Sequence, residues 1–308
     1  MVKWNNFNKG RLMKQITIAK KVELTGIGLH KGKPVRLVLE PLEDDMGIVF
    51  YRKDVGVSIP LSINSVVNTK LATVIGKNGF AISTIEHMMS AIYSYGIDNL
   101  KIILDSDEVP IMDGSSISFC MLLDEAGLRP LSKNKKYIKI KRDVIVKDKN
   151  RYAKLSPSND IKFNFEIDFD HPVIGRQKFE LDFSKKNFIN EIAKARTFGF
   201  LNEVQYLRSI GLALGGSLEN AIVLDDKKIL NSDGLRFENE FVRHKILDAI
   251  GDMSLFGIWF MGEYDSFAGS HELNHKLTKK LFADERNYEI LEIPSVGKEV
   301  VAFERVFA

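Results

Sequence analysis

Histidine and carboxylate residues carry the chemistry that this sequence suggests, because a single cysteine cannot build a metal-thiolate cluster. His244, Asp248 and Asp252 follow one another at intervals of four, so they share one face of a helix. The rest of that helix is mostly apolar, which predicts burial, and buried imidazoles and carboxylates need partners or a metal ion. The alternative is a helix with an exposed polar face and a simple His–Asp hydrogen bond.

Glu86 and His87 form a second candidate pair, at the start of an apolar helical pattern that Ser83 or Thr84 is expected to cap. In zinc hydrolases, a carboxylate that does not bind the metal takes a proton from the metal-bound water. The pair is not an HExxH motif, so it has no support from that signature. An acidic residue in a first turn is also favoured by the helix dipole alone.

His271 is the third candidate, at the beginning of the last helical pattern. Its charge state is left open, because a helix N-terminus lowers the pKa of a histidine whereas a nearby carboxylate raises it. His87 and His244 each lie on the helix that precedes an apolar strand, one in either half of the chain. Pseudo-symmetric packing of the halves would bring these two together, which favours one shared site over two unrelated structural histidines.

The elements that must position these residues occur in the same order in both halves of the chain. In the first half, the patterns predict strands at 14–24, 33–39, 47–52 and 99–105, and helices at 83–95 and 116–126. In the second half, they predict strands at 137–146, 151–155, 160–169, 177–183 and 258–267, and helices at 240–256 and 272–283. This repeated order predicts an α+β fold of two related domains. The basic run near Leu131 is expected to be a linker, which places the domains at 1–132 and 133–308.

The second half also contains an insertion at 184–226 that the first half lacks. It has amphipathic helical patterns at 187–194 and 203–210 and a short predicted strand at 221–224. An insertion into a repeated plan is a candidate for function, and a decorative loop is the alternative.

Composition excludes several functional classes. With 44 Lys and Arg against 41 Asp and Glu, the net charge of +3 gives no argument for nucleic-acid binding. One cysteine and no leader-like N-terminal segment lead us to expect a cytoplasmic protein without stable membrane insertion. Cys120 lies in an apolar helical pattern and is expected to be inert core. Residues 1–12 show no hydrophobic period and are expected to be a flexible extension or an artefact of the start site.

Six segments stand out by their order and spacing: STIEHMMSAIYSYGIDN, EVPIMDGSS, AKARTFGF, GLALGGSLENAIVLDD, DGLRFENEFVRHKILDAIGD and GSHELNHKL. They resemble the zinc-dependent UDP-3-O-acyl-N-acetylglucosamine deacetylases of lipid A synthesis. The resemblance runs from TGIGLHKG, near Thr25, to the last helix and so covers nearly the whole chain. It implies a pseudo-twofold sandwich with helices packed between the sheets and an active site at the domain interface.

The resemblance also implies a metal centre and a base. His87, His244 and Asp248 would bind one Zn²⁺ ion per chain, with Fe²⁺ as the alternative metal, and would leave a fourth position for water. Three protein ligands plus water is the open pattern of catalytic zinc, which lowers the pKa of the water to about 7. Glu86 would be the general base that delivers this water to the acetamide carbonyl.

Further catalytic roles follow from the same resemblance. His271 would be the general acid for the departing amine, and Asp252 would hold it. Thr197 would help zinc to stabilise the oxyanion. Lys245 would contact the diphosphate of a UDP-linked, acylated amino sugar, with a solvated surface lysine as the alternative.

The resemblance assigns the remaining substrate contacts to apolar residues. Phe169 and Phe198 would contact the nucleotide, although each is equally plausible as core. The insertion would form an apolar passage for the acyl chain, built by Phe200, Leu201, Ile210, Leu212 and Leu214. Burial of roughly 0.8 kcal/mol per methylene would then make chain length a main determinant of affinity.

Two positions depart from the family pattern. Ser270 stands where the family commonly has Gly, and Ala268 stands where the family often has a basic residue. The change at Ala268 would remove one charged contact to the nucleotide or to the reaction intermediate. The predicted function is hydrolysis of the N-acetyl group of UDP-3-O-(3-hydroxyacyl)-N-acetylglucosamine by a monomer, the committed step of lipid A synthesis. The alternatives are a related zinc amidohydrolase on another acylated sugar, or a non-catalytic protein that binds lipid or nucleotide sugar.

Overall fold

The computed structural model describes residues 14–293, so the expected extension at 1–12 lies outside the described residues. The strands of this part are β1 (Lys14–Ile18), β2 (Val22–Ile27), β3 (Pro34–Pro41), β4 (Ile48–Arg52), β5 (Val57–Pro60), β6 (Val66–Asn68), β7 (Val74–Lys77), β8 (Phe80–Ile82), β9 (Leu100–Leu104), β10 (Leu128–Asn134), β11 (Lys136–Ile140), β12 (Val144–Asp148), β13 (Arg151–Ser156), β14 (Ile161–Phe169), β15 (Gly175–Asp182), β16 (Phe198–Phe200), β17 (Ile222–Leu224), β18 (Trp259–Phe267) and β19 (Tyr288–Glu292). The α-helices are α1 (Glu86–Ser94), α2 (Ile117–Ala126), α3 (Lys185–Asn187), α4 (Leu201–Ser209), α5 (Glu240–Met253) and α6 (His271–Phe282). A π-helical turn at Phe188–Ile192 continues α3, and 3-10 turns lie at Ile63–Ser65, Ser254–Phe256 and Glu285–Asn287.

A five-stranded sheet with the order β2-β3-β9-β4-β5 forms the main layer of the first half. β4 runs parallel to β9, and the other neighbouring strands are antiparallel. Its strands alternate in polarity because one face is buried: Val35 and Leu37 of β3 are buried, whereas Arg36 between them is exposed. The meander β6-β7-β8 follows β5 and leads directly into α1.

A seven-stranded sheet forms the main layer of the second half, in the order β12-β13-β18-β11-β19, with β14 beside β18 and β15 beside β14. β18 is its central strand, antiparallel to β13 and parallel to β11 and β14. Aromatic side chains fill its buried face. Phe163 of β14 contacts Phe260 and Tyr264 of β18 with ring centroids 5.6 and 5.7 Å apart.

Two helices, one from each half, cross in the interior. All nine residues of α1 and twelve of the fourteen in α5 are buried, as expected for helices covered on every side. At the crossing, a Cβ atom on Gly251 would lie 2.2 Å from the carbonyl oxygen of Glu86, so glycine alone permits this approach of the two backbones. The arrangement of sheets and helices confirms the predicted α+β class.

The basic run near Leu131 is not a linker, so that interpretation is wrong. It belongs to β10, which pairs with β1, and to β11, which pairs with β18 and β19. Between these strands, the Lys135 ammonium is buried against Asp98, the Gly96 carbonyl oxygen and the Trp259 ring. The run resembled a solvated segment because the partners of these strands lie far away in the sequence. The domain division at residues 132 and 133 stays a prediction.

Element boundaries differ from the predictions in a few places. The predicted strands at 14–24 and 137–146 are each divided in two, into β1 and β2 and into β11 and β12. The meander β6-β7-β8 was not among the predicted elements, because its strands are only three or four residues long. Strands this short leave little room for a recognisable alternation.

α1 begins at Glu86, later than the predicted start, and neither Ser83 nor Thr84 caps it. Thr84 instead adopts the left-handed region, with φ +59°, and its hydroxyl donates to a Glu108 carboxylate oxygen at 3.1 Å. The capping prediction is therefore wrong, because a long-range partner takes the hydroxyl that a cap would use.

Cys120 is 1% exposed and lies in the core, as predicted. Burial raises the pKa of its thiol to about 12, which makes the thiolate rare at neutral pH. Among the helices of residues 14–293, none combines the length and the apolar composition that a membrane crossing needs.

Candidate metal centre and active site

Three candidate metal ligands meet at the crossing of α1 and α5. His87 comes from α1, and His244 and Asp248 come from successive turns of α5; all three are buried, and one potential ligand atom from each lies within 4.8 Å of the others. The Nε2 atoms of His87 and His244 are 3.6 and 3.3 Å from Asp248 Oδ1. The two imidazole rings are nearly perpendicular, with centroids 4.9 Å apart. The structure thus brings together the two histidines that the repeated plan placed in opposite halves.

The state of these side chains suits a divalent cation. His244 Nδ1 donates to the carbonyl oxygen of Ala195 at 3.0 Å, so its Nε2 carries the free electron pair toward Asp248. Burial lowers the pKa of His244 to about 3, which keeps the ring neutral. His87 Nδ1 is buried and has no hydrogen-bond partner in the described part of the chain. Neutral imidazoles with one carboxylate are the donor set that zinc prefers.

Asp248 is held as a carboxylate. Burial alone would raise its pKa, but the positive charge of Lys245, supported by contacts with the neighbouring histidines, outweighs burial and holds the pKa well below its usual range. Lys245 Nζ donates to Asp248 Oδ2 at 2.7 Å. Because that contact uses Oδ2, Asp248 Oδ1 remains directed toward the two histidines.

Glu86, directly before His87, faces the same space. It is buried, and burial raises the pKa of its carboxyl group, with the positive charge of His271 acting in the opposite direction. Its Oε2 accepts a hydrogen bond from the backbone N–H of Thr73 at 3.1 Å. Its Oε1 is 3.8 Å from His271 Nε2. A buried carboxylate with a raised pKa is suited to accepting a proton near neutral pH.

His271, the first residue of α6, lies opposite Glu86. Its Nδ1 donates to Asp252 Oδ2 at 2.8 Å, so its Nε2 points into the site. Burial would lower its pKa, but the carboxylates of Asp252, Glu86 and Asp248 outweigh burial and raise it to about 10. The imidazole is therefore a proton donor at neutral pH.

Ser270 is one of the two positions that depart from the family pattern, and it caps α6. Its side-chain oxygen accepts from the Leu273 N–H at 3.4 Å. The departure therefore preserves the helix start on which His271 depends. The other departure, Ala268, adds no charge, and its backbone N–H donates to the Glu166 carbonyl oxygen at 2.8 Å.

Thr197 lies in the segment between Ala195, which holds His244, and β16. Its N–H donates to the Gly114 carbonyl oxygen and its own carbonyl accepts from Ile222, both at 2.8 Å. The preceding residue, Arg196, is fully buried and pairs with Glu240 at the start of α5 (2.9 Å). The backbone at Thr197 is thus tied to the helix that carries two of the candidate ligands.

An apolar cavity of about 420 Å³ adjoins this segment. Thr197, Phe198 and Leu201 line it, together with other apolar residues of the insertion and of the first half. A neighbouring cavity of about 480 Å³ shares His30 and Leu71 with it. The insertion therefore does border an apolar space, and both halves of the chain contribute to it.

Several predicted substrate residues take other places. Leu212 lines the neighbouring cavity, while Ile210 is 53% exposed and lines neither one. Phe169 packs against Phe198 and Phe200, with ring centroids 5.8 and 6.0 Å apart. The three phenylalanines therefore form an aromatic cluster beside the site. Leu214, named with the insertion, is also largely exposed.

Sequence reasoning missed several residues that hold the site. Thr73 contacts both Glu86 and Asp252, and nothing in its sequence surroundings indicates a role. Asn274 donates to Asp252 Oδ2 at 2.7 Å. Asn274 lies one turn after His271 on the same face of α6, and this spacing could have indicated that it belongs to the site.

Comparison with known proteins points to one family. The family model described as UDP-3-O-acyl N-acetylglycosamine deacetylase matches residues 15–283. A UDP-3-O-acyl-N-acetylglucosamine deacetylase from Sulfurimonas denitrificans is 64% identical over 296 residues, which cover 96% of this chain and 100% of that protein. The protein of the same name from Nautilia profundicola is 66% identical over 290 residues, 94% of this chain and 99% of its own. That from Aliarcobacter butzleri is 61% identical over 297 residues, 96% and 99% of the two chains.

Proposed function

Since the chain belongs to the UDP-3-O-acyl N-acetylglycosamine deacetylase family, we propose that it hydrolyses the N-acetyl group of UDP-3-O-acyl-N-acetylglucosamine. The products are acetate and the free amine, in the committed step of lipid A synthesis. The observation that carries the proposal is the buried group of His87, His244 and Asp248, with Glu86 and His271 directed at the same space. A protein that only binds a lipid or a nucleotide sugar would not need an acid and a base there.

His87, His244 and Asp248 would hold the metal, which we propose to be one Zn²⁺ ion per chain, with Fe²⁺ as the alternative. When bound, zinc supplies a Lewis acid that lowers the pKa of a ligated water to about 7. The chain's own contribution is to keep the His244 imidazole neutral and the Asp248 carboxylate ionised. The bond from His244 Nδ1 to Ala195 and the bond from Lys245 to Asp248 support that state.

Glu86 is the proposed general base. Its Oε2 is held by Thr73, and its Oε1 faces the interior of the site. In the proposed step, Glu86 takes a proton from water while the water oxygen forms a bond to the acetamide carbonyl carbon. The hydroxyl of Thr197 would donate to the carbonyl oxygen as negative charge develops on it.

His271 is the proposed general acid. Its Nε2 gives a proton to the sugar nitrogen as the bond between that nitrogen and the carbonyl carbon breaks. Asp252 holds Nδ1 and stabilises the protonated ring, so the proton leaves from the nitrogen that faces the substrate.

The substrate would extend from the metal centre in two directions. Lys245, Phe169 and Phe198 would contact the UDP group, and Lys245 Nζ already lies 5.8 Å from the Phe198 ring centroid. Phe200 would belong to the acyl passage. The apolar cavity beside Leu201 would take the acyl chain, with Leu212 at the neighbouring cavity. Each buried methylene would contribute roughly 0.8 kcal/mol to binding.

Three sequence-based predictions complete the proposal. We propose that the enzyme acts as a monomer, that it works in the cytoplasm, and that residues 1–132 and 133–308 form its domains. The buried free thiol of Cys120 agrees with a reducing compartment. The pairing of β10 with β1 and of β11 with β18 agrees with a division near residue 133.

The test combines metal analysis with turnover. We expect about one zinc per chain, deacetylation of the UDP-linked substrate that chelation abolishes, and recovery on zinc addition. Glu86→Ala should keep the metal and lower kcat by about 10²-fold or more, as expected for loss of a general base. Glu125→Ala, at an exposed glutamate of α2, is the matched control. Full activity in metal-free protein, or in the Glu86→Ala variant, would refute the proposal.

A further inference from the structure

Thr73 contacts the carboxylates of two different helices. It lies between β6 and β7 and is 1% exposed. Its backbone N–H donates to Glu86 Oε2 at 3.1 Å, and its side-chain hydroxyl donates to Asp252 Oδ1 at 2.5 Å. Glu86 belongs to α1 of the first half and Asp252 to α5 of the second. One residue therefore ties together the proposed base and the residue that holds the proposed acid.

Each contact leaves the remaining carboxylate oxygen free for another role. With Oε2 of Glu86 held by Thr73, Oε1 lies 3.8 Å from His271 Nε2. With Oδ1 of Asp252 held by the Thr73 hydroxyl, Oδ2 accepts from His271 Nδ1 and from Asn274 Nδ2 at 2.8 and 2.7 Å. The two carboxylates are thus oriented by one residue on opposite sides of the same imidazole.

The physical reason for such a contact is that two buried carboxylates repel each other and rotate easily. A hydroxyl hydrogen bond to a charged carboxylate is stronger than one between neutral groups. Threonine is β-branched and therefore restricted at χ1, so the direction of its hydroxyl is well defined. A misplacement of about 1 Å at a reacting group can cost about 10²-fold in rate.

We propose that Thr73 is a positioning residue that fixes Glu86 and Asp252 relative to each other. The proposed base and the proposed acid can then act on the same acetamide group of the substrate. The inference rests on the proposed function for its kinetic consequence. Its structural part, the orientation of Asp252 and therefore of His271, is independent of the reaction.

The kinetic test compares two substitutions that differ in the hydroxyl. Thr73→Val keeps the shape and the backbone N–H but removes the hydroxyl, and we expect kcat to fall roughly 10-fold with KM changed less than about twofold. Thr73→Ser keeps the hydroxyl and should retain most of the wild-type kcat. The metal content of both variants should equal that of the wild type.

The second readout uses metal-free protein and no substrate. We expect the proton on His271 Nδ1, which is hydrogen-bonded to Asp252, to give a downfield signal in the proton NMR spectrum. Thr73→Val should shift or broaden this signal, because Asp252 loses a donor, whereas Thr73→Ser should leave it in place. If the wild type showed no deacetylation, the proposed function would fail while this measurement still tested Thr73.

Thr278→Val is the matched control, because Thr278 is equally buried and its hydroxyl donates to the His275 carbonyl oxygen of its own helix (2.8 Å). We expect wild-type kcat and an unchanged signal from it. Three results would overturn the inference: wild-type kcat with an unshifted signal in Thr73→Val, equal losses in Thr73→Val and Thr73→Ser, or loss of metal from Thr73→Val. The last two would indicate a role in packing.

Discussion

The side chains at the crossing of α1 and α5 are held differently from those of residues 198–224, the part of the insertion at 184–226 that is called the insertion segment below. Every residue of α1 is buried, whereas none of α4 in the insertion segment is. At the crossing, Asp252 has fixed partners, because its carboxylate accepts hydrogen bonds from Thr73, His271 and Asn274. In the insertion segment, large apolar side chains such as Tyr206 and Leu218 remain exposed.

This difference suits the two proposed tasks. Proton transfer requires donors and acceptors at defined distances, so the crossing is built from directional contacts on rigid helices. Binding an acyl chain relies on the hydrophobic effect, which is non-directional and scales with buried area. A partly exposed segment is sufficient for that purpose. Substitutions should therefore have steep effects at the crossing and graded effects in the insertion segment.

The largest effect is expected for Gly251→Ala at the crossing. The new Cβ would lie 2.2 Å from the Glu86 carbonyl oxygen. Because this oxygen belongs to the backbone, relieving the clash would require a shift of one of the two helices. We expect loss of metal and activity and a destabilisation of about 1–3 kcal/mol or more, measured by metal analysis and denaturant unfolding. Gly199→Ala in the insertion segment is the control, because its Cβ would meet Val204 at an ordinary 3.5 Å. If both variants had the same metal content and stability, the expectation that substitutions have steeper effects at the crossing than in the insertion segment would be wrong.

Asp252→Asn should have the next largest effect. Without the charged partner, the pKa of His271 should fall from about 10 toward its ordinary value near 6.5, as followed by NMR of metal-free protein. The raised pKa stabilises the folded wild type fully below about pH 6.5, and this contribution is lost as the pH rises through about 10. The variant should lack this part of the pH dependence. We expect kcat to fall about 10²-fold, and an unshifted His271 would contradict the assignment.

Leu201→Ala in the insertion segment should produce a smaller, selective effect. Leu201 lines the apolar cavity, so shortening it should weaken acyl-chain binding by roughly 1–2 kcal/mol and raise KM about 10-fold at unchanged kcat. The comparison of long-chain and short-chain substrates is the control, since the effect should vanish when the chain is too short to reach the cavity. A similar rise of KM for both substrates would place the acyl chain elsewhere.

The smallest effect is expected for Ile210→Ser. The sequence placed Ile210 in the acyl passage, but its side chain is 53% exposed and lines neither cavity. KM for the long-chain substrate should change less than about twofold, because little apolar area is lost. A rise as large as that of Leu201→Ala would show that this part of the insertion segment closes over the bound chain.

Much of the fold and of the candidate site could be read from local patterns. The spacing of His244, Asp248 and Asp252 predicted a shared helix face, and they do lie on one face of α5. The repeated order of elements predicted the α+β class. The basic run around Leu131 led to a wrong prediction of a linker, because its many lysines are typical of a solvent-exposed segment. It forms parts of two strands whose partners lie elsewhere in the chain.

By itself the sequence determined most of the helices and longer strands, which helix faces are polar, and which residue types could bind a metal or move a proton. Periodicity expresses these properties within a few residues, so they can be recognised locally. Tertiary structure alone decided that Gly251 touches the Glu86 backbone and that Thr73 joins two carboxylates, whereas the repeated order of elements had predicted that His87 meets His244. These contacts link residues far apart in the chain, and their geometry depends on how the halves pack. No local pattern encodes that packing.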